Sequence, residues 1–409
     1  MKIAELRATP VAIGDPPLRS AFGLHAPFAL RTIVEIETDA GVTGVAETYG
    51  GEAPLRAFAR ARPLVLGRDP WELTRIRLDV EKAERVTGNG HAWEARALRA
   101  PALFAAIEVA CLDAIGRATG RSVSDLLGGR VRDRVPFAAY LFFKQAGDDP
   151  WGEVMTSEAI VGEAREMVRR YGFRSLKLKG GVIDPDREAD AIQVLREEFP
   201  RVPLRLDPNA AWSRATAHRV AKRLAGALEY LEDPVPGLDA MAEVAATAPM
   251  PLATNMCVTA FEHVPEAVAK RAVGIILSDH HMWGGMRATV ELGRLCGAFG
   301  LGLSMHSNSH LGISLAAMVH VAAAVPELTY ACDTHYPWQI DDVIKGGKLR
   351  IEHGEVAVPT GPGLGVELDR DALGRLHDEY TRSGLTVRDD VAEMRRRVDP
   401  NWRPHVGDW

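Results

Sequence analysis

Six polar side chains recur at nearly regular intervals in the chain, each at the point where an apolar run stops. Successive members are 23 to 28 residues apart, close to the length of one strand plus one helix. They are Lys179, Asp207, Glu232, Asn255, Asp279 and His306. Amines, carboxylates, amides and imidazoles are the groups that bind cations and transfer protons. The spacing predicts that successive strands bring all six to one mouth of a barrel, where barrel active sites lie.

Each of these residues also has an ordinary structural explanation when it is taken alone. Asp207 could cap a helix, Asn255 could form a turn, and His306 could be a histidine of the core. Such explanations do not account for six potential ligands or acid/base groups in register. The joint pattern therefore favours a functional site.

Asp207, Glu232 and Asn255 bring oxygen atoms from three adjacent strands. Oxygen ligands suit a hard divalent cation, most simply Mg2+, and the absence of Cys and His from this set argues against zinc. Two carboxylates and one amide just cancel a double positive charge. We therefore expect a Mg2+ site that still accepts an anionic substrate oxygen.

Lys179 lies on one flank of this predicted metal site, and Asp279 with His306 lies on the other. A lysine acts as a base only in its neutral form, and the positive charges of the nearby cation and of Lys177 would lower the pKa of Lys179. Lys177 lies on the same face as Lys179 because successive side chains of a strand alternate between its two faces. Asp279 can orient His306 and stabilise its imidazolium form. A metal between two bases predicts removal of a proton next to a carboxylate.

The elements that position these residues alternate between strands and helices for about two hundred residues. Eight predicted strands run from Pro136–Phe143 to Leu328–Asp333, which favours a closed parallel barrel. Residues 1–130 form a separate α+β unit, in which Thr32–Thr38 and Val42–Tyr49 alternate as a hairpin. Residues 131–340 are the predicted barrel, and residues 341–409 are expected to return to the first unit.

Bulk composition limits the possible partners. The 409 residues have 46% apolar content and a net charge of -6, so nothing in the composition indicates nucleic acid as a partner. The four cysteines are scattered without a C-x-x-C pair, which fits a reducing compartment. No apolar run of membrane-spanning length and no signal core occur, so we expect a cytoplasmic protein without a membrane partner.

Several stretches of the chain resemble a known family. The stretches SLKLKGG, LDPNAAW, YLEDP, ATNM, SDHHMW and MHSNSHLGIS are similar to the enolase superfamily, and within it to the glucarate dehydratase group. HAPF, YLFF, DTHYPWQ, KGGKLRI, GPGLGVELD and GLTVRDD resemble that group as well. The resemblance covers about residues 18 to 391.

The resemblance implies an α/β fold, namely a modified (β/α)7β TIM barrel under an α+β capping domain formed by the N-terminal region and the C-terminal tail. It also implies a Mg2+-dependent hydro-lyase that removes a proton α to a carboxylate and eliminates the β-hydroxyl. The substrate would be a small dicarboxylic sugar acid, D-glucarate first, and the product a keto-deoxy acid. The family's habit further suggests a homo-oligomer.

Site residues follow from the resemblance position by position. Lys179 matches the lysine base, Lys177 its companion on the substrate carboxylate, and Asp279 with His306 the Asp–His dyad. Asp207 and Asn255 match metal ligands. The positions that match substrate contacts are His25, Tyr140, Asn209, Ser307, Asn308, His335 and Arg388. Arg388 would suit a distal carboxylate as a bidentate partner.

The chain departs from the group in three places. The loop after Glu232 is shortened, so the third metal ligand is Glu232 by superfamily logic, with Asp239 as the alternative. Ser309 stands where the group usually has a second Asn. The stretch 86–101 matches poorly and is expected to line the mouth. These changes leave the proton chemistry in place and the exact sugar acid open.

Some residues near these motifs are expected to have structural roles. At most one of His280 and His281 can face the mouth, and we expect packing for both. Gly180-Gly181 is a weak signal for a phosphate loop, because no matching glycine-rich loop follows late in the barrel.

Two other functions remain open at this point. A racemase or epimerase of a hydroxy acid needs only the two bases, and its substrate needs no departing hydroxyl. A non-catalytic barrel that binds a metal or a sugar acid would keep the ligands without turnover. Formation of a 2-keto product separates the dehydratase from both.

Overall fold

A computed structural model describes residues 1–25, 27–83 and 100–409. The predicted mouth-lining stretch 86–101 therefore lies outside the described residues, apart from Ala100 and Pro101. Within the described residues, no helix has the length and apolarity needed to cross a membrane.

The N-terminal unit is built on a three-stranded antiparallel sheet. Its strands are β1 (Ile3–Gly14), β4 (Phe28–Thr38) and β5 (Thr43–Tyr49), in the order β1-β4-β5. In the sequence, β1 and β4 are separated by a two-stranded antiparallel ribbon of β2 (Arg19–Ser20) and β3 (Gly23–Leu24). The register places Arg31 opposite Tyr49 and Ile33 opposite Glu47, which confirms the predicted hairpin.

Helices cover this sheet. They are α1 (Glu52–Val65), α2 (Leu73–Ala83), α3 (Ala100–Thr119) and α4 (Val123–Leu126). Helix α3 is buried along most of its length, and its Asp113 accepts a hydrogen bond from the backbone N–H of Val45 at 2.9 Å. Its buried apolar residues pack against β4 and β5, and their removal from water stabilises this unit.

The central region closes into a parallel barrel. Its strands are β6 (Arg134–Phe142), β7 (Leu176–Lys179), β8 (Leu204–Asp207), β9 (Tyr230–Glu232), β10 (Leu252–Thr254), β11 (Ile275–Ser278), β12 (Gly302–Met305) and β13 (Cys332–Thr334). Neighbours in this series pair in parallel from β6 to β12, and β13 pairs with β6. The carbonyl of Leu303 in β12 accepts hydrogen bonds from Thr329 and Tyr330, just before β13, which closes the ring.

Seven helices connect these strands in the described part of the chain. They are α5 (Ser157–Tyr171), α6 (Pro185–Glu198), α7 (Arg214–Arg223), α8 (Leu238–Ala245), α9 (Val264–Lys270), α10 (Met286–Phe299) and α11 (Gly312–Ala324). Strand β13 is followed by a 3-10 turn, Tyr336–Trp338, instead of a helix. The order is therefore (β/α)7β, and the predicted fold class is confirmed.

The C-terminal segment contacts both units. The hairpin of β14 (Ile351–Glu352) and β15 (Glu355–Ala357) adds antiparallel to the first residues of β6. Helix α12 (Arg370–Ser383) packs on β1, and α13 (Asp390–Arg397) packs on β3. The division of the chain into domains at residues 130 and 340 stays a prediction.

The glycine pair after β7 has a packing role. A Cβ on Gly180 would lie 2.6 Å from the Glu188 carboxylate, and Gly181 has a φ of +70° beside the carbonyl of Pro208. Glu188, on α6, accepts hydrogen bonds from the backbone of Val182 and Ile183 at 2.8 and 3.1 Å. The loop after Lys179 is thus held by a buried carboxyl group, and burial raises the pKa of Glu188 to about 7.

Replacing Glu188 by glutamine should change how stability depends on pH. The unfolded carboxyl releases its proton near its ordinary pKa of 4.5, whereas the folded one keeps it until about 7. The wild type should therefore lose up to about 3 kcal/mol between pH 5 and pH 8 through this group. Glu188→Gln should lack that loss, measured as denaturation midpoints at both pH values. Equal pH dependence in the two proteins would show that Glu188 ionises normally.

Candidate active site

The carboxyl ends of the barrel strands open into one cavity below the N-terminal unit and the C-terminal segment. Most of the predicted site residues line it. They are Lys179, Asn255, Asp279, His306, His25, Tyr140, Asn209, Ser307, Asn308, His335 and Arg388. The three remaining residues, Lys177, Asp207 and Glu232, are fully buried.

A buried cluster of charges surrounds Lys177. Its Nζ lies 2.6 Å from Glu232 Oε2, 2.7 Å from Asp333 Oδ2 and 3.3 Å from Asp207 Oδ2. Burial alone would lower the pKa of Lys177, but Asp333 and Glu232 raise it well above its ordinary value. Lys177 is therefore a fixed ammonium ion among three carboxylates. Its predicted contact with a substrate carboxylate stays a prediction.

The carboxylates of this cluster are not equivalent. Burial would raise the pKa of Asp207, yet the ammonium groups of Lys179 and Lys177 hold it well below its ordinary range. For Glu232, burial and the charge of Asp207 together raise the pKa well above its ordinary value. Glu232 Oε1 is buried and accepts no hydrogen bond from the described residues. Buried polar atoms are normally paired, and a cation is one partner that such a carboxylate oxygen can take.

Local backbone geometry fixes the turns after β8 and β9. Asn209 and Ala210 both have positive φ, 51° and 64°, and the N–H of Asn209 donates to Asp207 Oδ1 at 3.0 Å. Asp233 also has a positive φ, and its Oδ2 accepts from the N–H of Asn255 at 2.8 Å. Non-glycine residues with a positive φ have a conformational energy cost, and they are concentrated at functional sites.

The two alternatives for the third oxygen ligand lie in different environments. Glu232 ends β9 and shares Lys177 with Asp207. Asp239 lies in the first turn of α8, its side chain is 79% exposed, and it pairs with Lys270 on the surface. Only Glu232 faces the buried cluster.

Lys179 is held by groups of neighbouring strands. Its Nζ contacts Asp207 Oδ2 at 2.6 Å and lies 5.3 Å from the centre of the Tyr140 ring. The Tyr140 hydroxyl donates to Asp333 Oδ2 at 2.9 Å. Tyr140 thus connects the wall of the cavity to the charge cluster beneath it.

Asp279 and His306 form a hydrogen-bonded pair, with 3.1 Å between His306 Nδ1 and Asp279 Oδ2. The hydroxyl of Tyr49, from β5, donates to the same oxygen at 3.2 Å. Burial would raise the pKa of Asp279, but His281 and His306 hold it well below its ordinary value. Burial lowers the pKa of His306, Asp279 opposes this, and Lys179 and Lys177 lower it further. His306 is therefore neutral near pH 7 and can accept a proton.

The far end of the cavity carries a second buried network. Arg388 pairs with Asp390 through two bonds of 2.6 and 3.0 Å and donates to Asp15 at 3.2 Å. Asp15 also lies 3.5 Å from His335 and 3.6 Å from His25. The bidentate partner of Arg388 is thus a protein carboxylate. Its predicted role for a substrate carboxylate stays a prediction.

Sequence reasoning missed several residues of this site. Asp333 lies in the last barrel strand, 27 residues after His306, so the same periodic spacing could have revealed it. Asp15, Tyr49 and Asp390 come from the N-terminal unit and the C-terminal segment. Their signals are weaker, because no period connects them to the barrel strands.

Family models match both main parts of the chain. Residues 5–128 match the mandelate racemase / muconate lactonizing enzyme N-terminal domain. Residues 159–372 match the enolase C-terminal domain-like family.

Individual relatives match over the full length. A probable glucarate dehydratase of Streptomyces coelicolor is 47% identical over 428 aligned positions, covering 100% of this chain and 99% of the relative. The crystal structure of an enolase from Thermobispora bispora, complexed with magnesium and formate, is 53% identical with a TM-score of 0.96 and full coverage of both chains. An enolase structure from Pseudomonas fluorescens with bound magnesium, potassium and tartrate is 47% identical, with a TM-score of 0.95 and 99% coverage of each.

Substitution of the two candidate acidic ligands should separate their roles in cation binding. Glu232→Gln should weaken binding of Mn2+, used as a paramagnetic probe, by about 100-fold because a buried charged ligand is lost. Asp239→Asn is the matched control and should change binding by less than about twofold. The dissociation constants can be measured by electron paramagnetic resonance. Weakening by Asp239→Asn alone would place the ligand in the shortened loop.

Proposed function

The chain belongs to the enolase superfamily, and from this premise we propose that it is a Mg2+-dependent hydro-lyase of an acid sugar. D-glucarate is the first candidate substrate. The enzyme would remove the proton α to a carboxylate and eliminate the β-hydroxyl, giving a keto-deoxy acid. The 47% identical relative, a probable glucarate dehydratase, supports this reaction class.

The observation that carries the proposal is the pair of candidate bases in one cavity. Lys179 ends β7 and His306 follows β12, and both line this cavity. The strands between them carry Asp207, Glu232, Asn255 and Asp279 in that order. Two bases that flank a group of oxygen ligands suit the abstraction of a proton from either face of an α-carbon.

The residues present fit a magnesium ion. Asp207, Glu232 and Asn255 would hold it through oxygen atoms, and Glu232 Oε1 is a buried carboxylate oxygen that accepts no hydrogen bond from the described residues. When bound, Mg2+ would supply positive charge beside the substrate carboxylate as the α-proton leaves. Lys177 would add a permanent positive charge below the same position.

Each base has a defined role in the proposed reaction. Lys179 Nζ or His306 Nε2 takes the C5 proton, according to the configuration of the substrate at C5. When His306 is the base, it passes the proton that it has taken to the C4 hydroxyl, which leaves as water when the C4–O bond breaks. When Lys179 in its neutral form is the base, His306 must first take up a proton from solvent, and Asp279 stabilises the imidazolium ion that then protonates the departing hydroxyl. The enol that results converts to the 5-keto-4-deoxy acid.

An epimerase or racemase of a hydroxy acid is the second candidate function. The same observation supports it, because two bases in one cavity can deliver and remove a proton on opposite faces. It differs from the dehydratase in keeping the β-hydroxyl. Homo-oligomer formation and a cytoplasmic location stay predictions from the sequence.

A screen of aldaric and aldonic acids with Mg2+, scored for 2-keto acid, tests the proposed function. Lys179→Met and His306→Asn should each lower turnover of at least one C5 epimer by about 100-fold to 10,000-fold, because a general base is lost. Lys345→Met removes a surface lysine that pairs with Glu367 and serves as the matched control.

Two results would contradict the proposal. Full activity and unchanged metal dependence in both base variants would exclude proton transfer by Lys179 and His306. Exchange of the α-proton with deuterium from heavy water, without 2-keto acid from any acid tested, would favour the epimerase.

A further inference from the structure

We propose that His281 is a positioning residue for the base His306, and that the N-terminal sheet holds His281 in place through Arg31 and Glu47. This inference deepens the proposed function and rests on it. His281 has no place among the residues that the sequence predicts for the site. Packing was its expected role.

His281 contacts the oxygen of Asp279 that His306 does not use. Its Nδ1 lies 2.9 Å from Asp279 Oδ1, and its backbone N–H donates to the same atom at 2.9 Å. Asp279 Oδ2 takes His306 and the Tyr49 hydroxyl. Both carboxylate oxygens are therefore fixed by two donors each, so the plane of the carboxylate cannot rotate without losing contacts.

The tautomer of His281 follows from its other partner. Its Nε2 lies 3.4 Å from Arg31 Nη2, and a guanidinium nitrogen can only donate. Nε2 is therefore an acceptor, and in a neutral ring the proton must be on Nδ1, where it donates to Asp279. The hydroxyl of Ser314 lies 3.1 Å from the same Nε2.

The N-terminal hairpin supplies the other end of this series of contacts. Arg31 donates from Nε to Glu47 Oε1 at 2.8 Å, and its guanidinium lies 4.9 Å from the centre of the Tyr49 ring. The hairpin register places Arg31 directly opposite Tyr49, and strand alternation puts Glu47 on the face of Tyr49. One sheet face thus carries all three side chains, of which Tyr49 contacts Asp279 and Arg31 contacts His281.

Glu47 also holds the helix that follows His306. Its carboxylate accepts from the backbone N–H groups of Leu311 and Ser314 at 2.8 and 3.0 Å, at the start of α11. The N-cap residue of α11 is Leu311, and its side chain makes no capping hydrogen bond. The same carboxylate therefore fixes Arg31, which orients His281, and the helix that begins after the loop of His306.

Lys179 is held differently. Its described contacts are to Asp207 and to the Tyr140 ring, both in neighbouring strands of the barrel. Loss of the His281 side chain should therefore affect proton transfer by His306 and leave proton transfer by Lys179 nearly unchanged. This asymmetry separates a positioning role from a general loss of folding.

The experiment compares His281→Ala with His281→Asn and with His280→Ala. An asparagine can keep an N–H donor near the place of Nδ1, so it should restore the bond to Asp279. His280 is the matched control, because it is a buried histidine of the same turn with its ring centre 3.9 Å from that of His281. The readout is exchange of the C5 proton of D-glucarate and of its C5 epimer in heavy water with Mg2+. Lys179→Met and His306→Asn assign each epimer to its base.

His281→Ala should lower exchange from the His306 face by about 10-fold to 100-fold, while the Lys179 face should stay within about threefold. His281→Asn should recover most of the loss, and His280→Ala should not show the asymmetry. Equal loss on both faces, or no recovery with asparagine, would overturn the proposal.

A second measurement does not depend on the substrate. Nitrogen-15 spectra of the histidine rings should show His306 with its proton on Nδ1 in the wild type, and a shifted His306 signal in His281→Ala. An unchanged His306 signal would overturn the positioning role. Absence of exchange from either epimer in the wild type would instead count against the proposed function, and the ring spectra would still decide the role of His281.

Discussion

The buried charges around Lys177 are the constraint on which the rest of the site depends. One ammonium ion lies within 3.3 Å of Asp207, Glu232 and Asp333, in a region without solvent contact. Separated charges in such a place would cost several kcal/mol each, so the strands that carry them must stay in register. Within this cluster, Glu232 Oε1 accepts no hydrogen bond from the described residues, which connects the buried charges with the proposed metal site.

Buried glutamates hold the loops that follow the barrel strands. Glu188 holds the loop after Lys179. Glu108, on α3, accepts from the backbone N–H of Met286 at 2.6 Å and so caps α10 after the loop of Asp279, and burial raises its pKa to about 7. Glu47 caps α11 after the loop of His306. Two of these three come from the N-terminal unit, which therefore shapes the site as well as covering it.

The sequence could predict the features that repeat along the barrel, but not those that arise from contacts between the barrel and the N-terminal unit. The strand ends from Lys179 to His306 were accessible because each repeats after one strand and one helix, and a parallel barrel aligns such positions by geometry. The same reasoning reached the closed parallel barrel and, through strand alternation, the hairpin of β4 and β5, whereas the (β/α)7β order came from the family resemblance. It did not reach Arg31, Glu47 or His281, because their roles arise from contacts between units that no local period records. Charged residues inside the apolar hairpin strands were the available signal. Residues 86–99 lie outside the described residues.

The two candidate bases consequently depend on different parts of the molecule. Lys179 is fixed by Asp207 and by the Tyr140 ring, within the barrel that also carries the proposed metal ligands. His306 is fixed by Asp279, whose second oxygen is held by His281, next to Arg31 of the N-terminal sheet. A change in the hairpin can therefore alter the geometry of one base without touching the metal ligands. If the configuration of the substrate selects the base, such a change would alter the preference between substrate epimers and leave the proposed metal ligands in place.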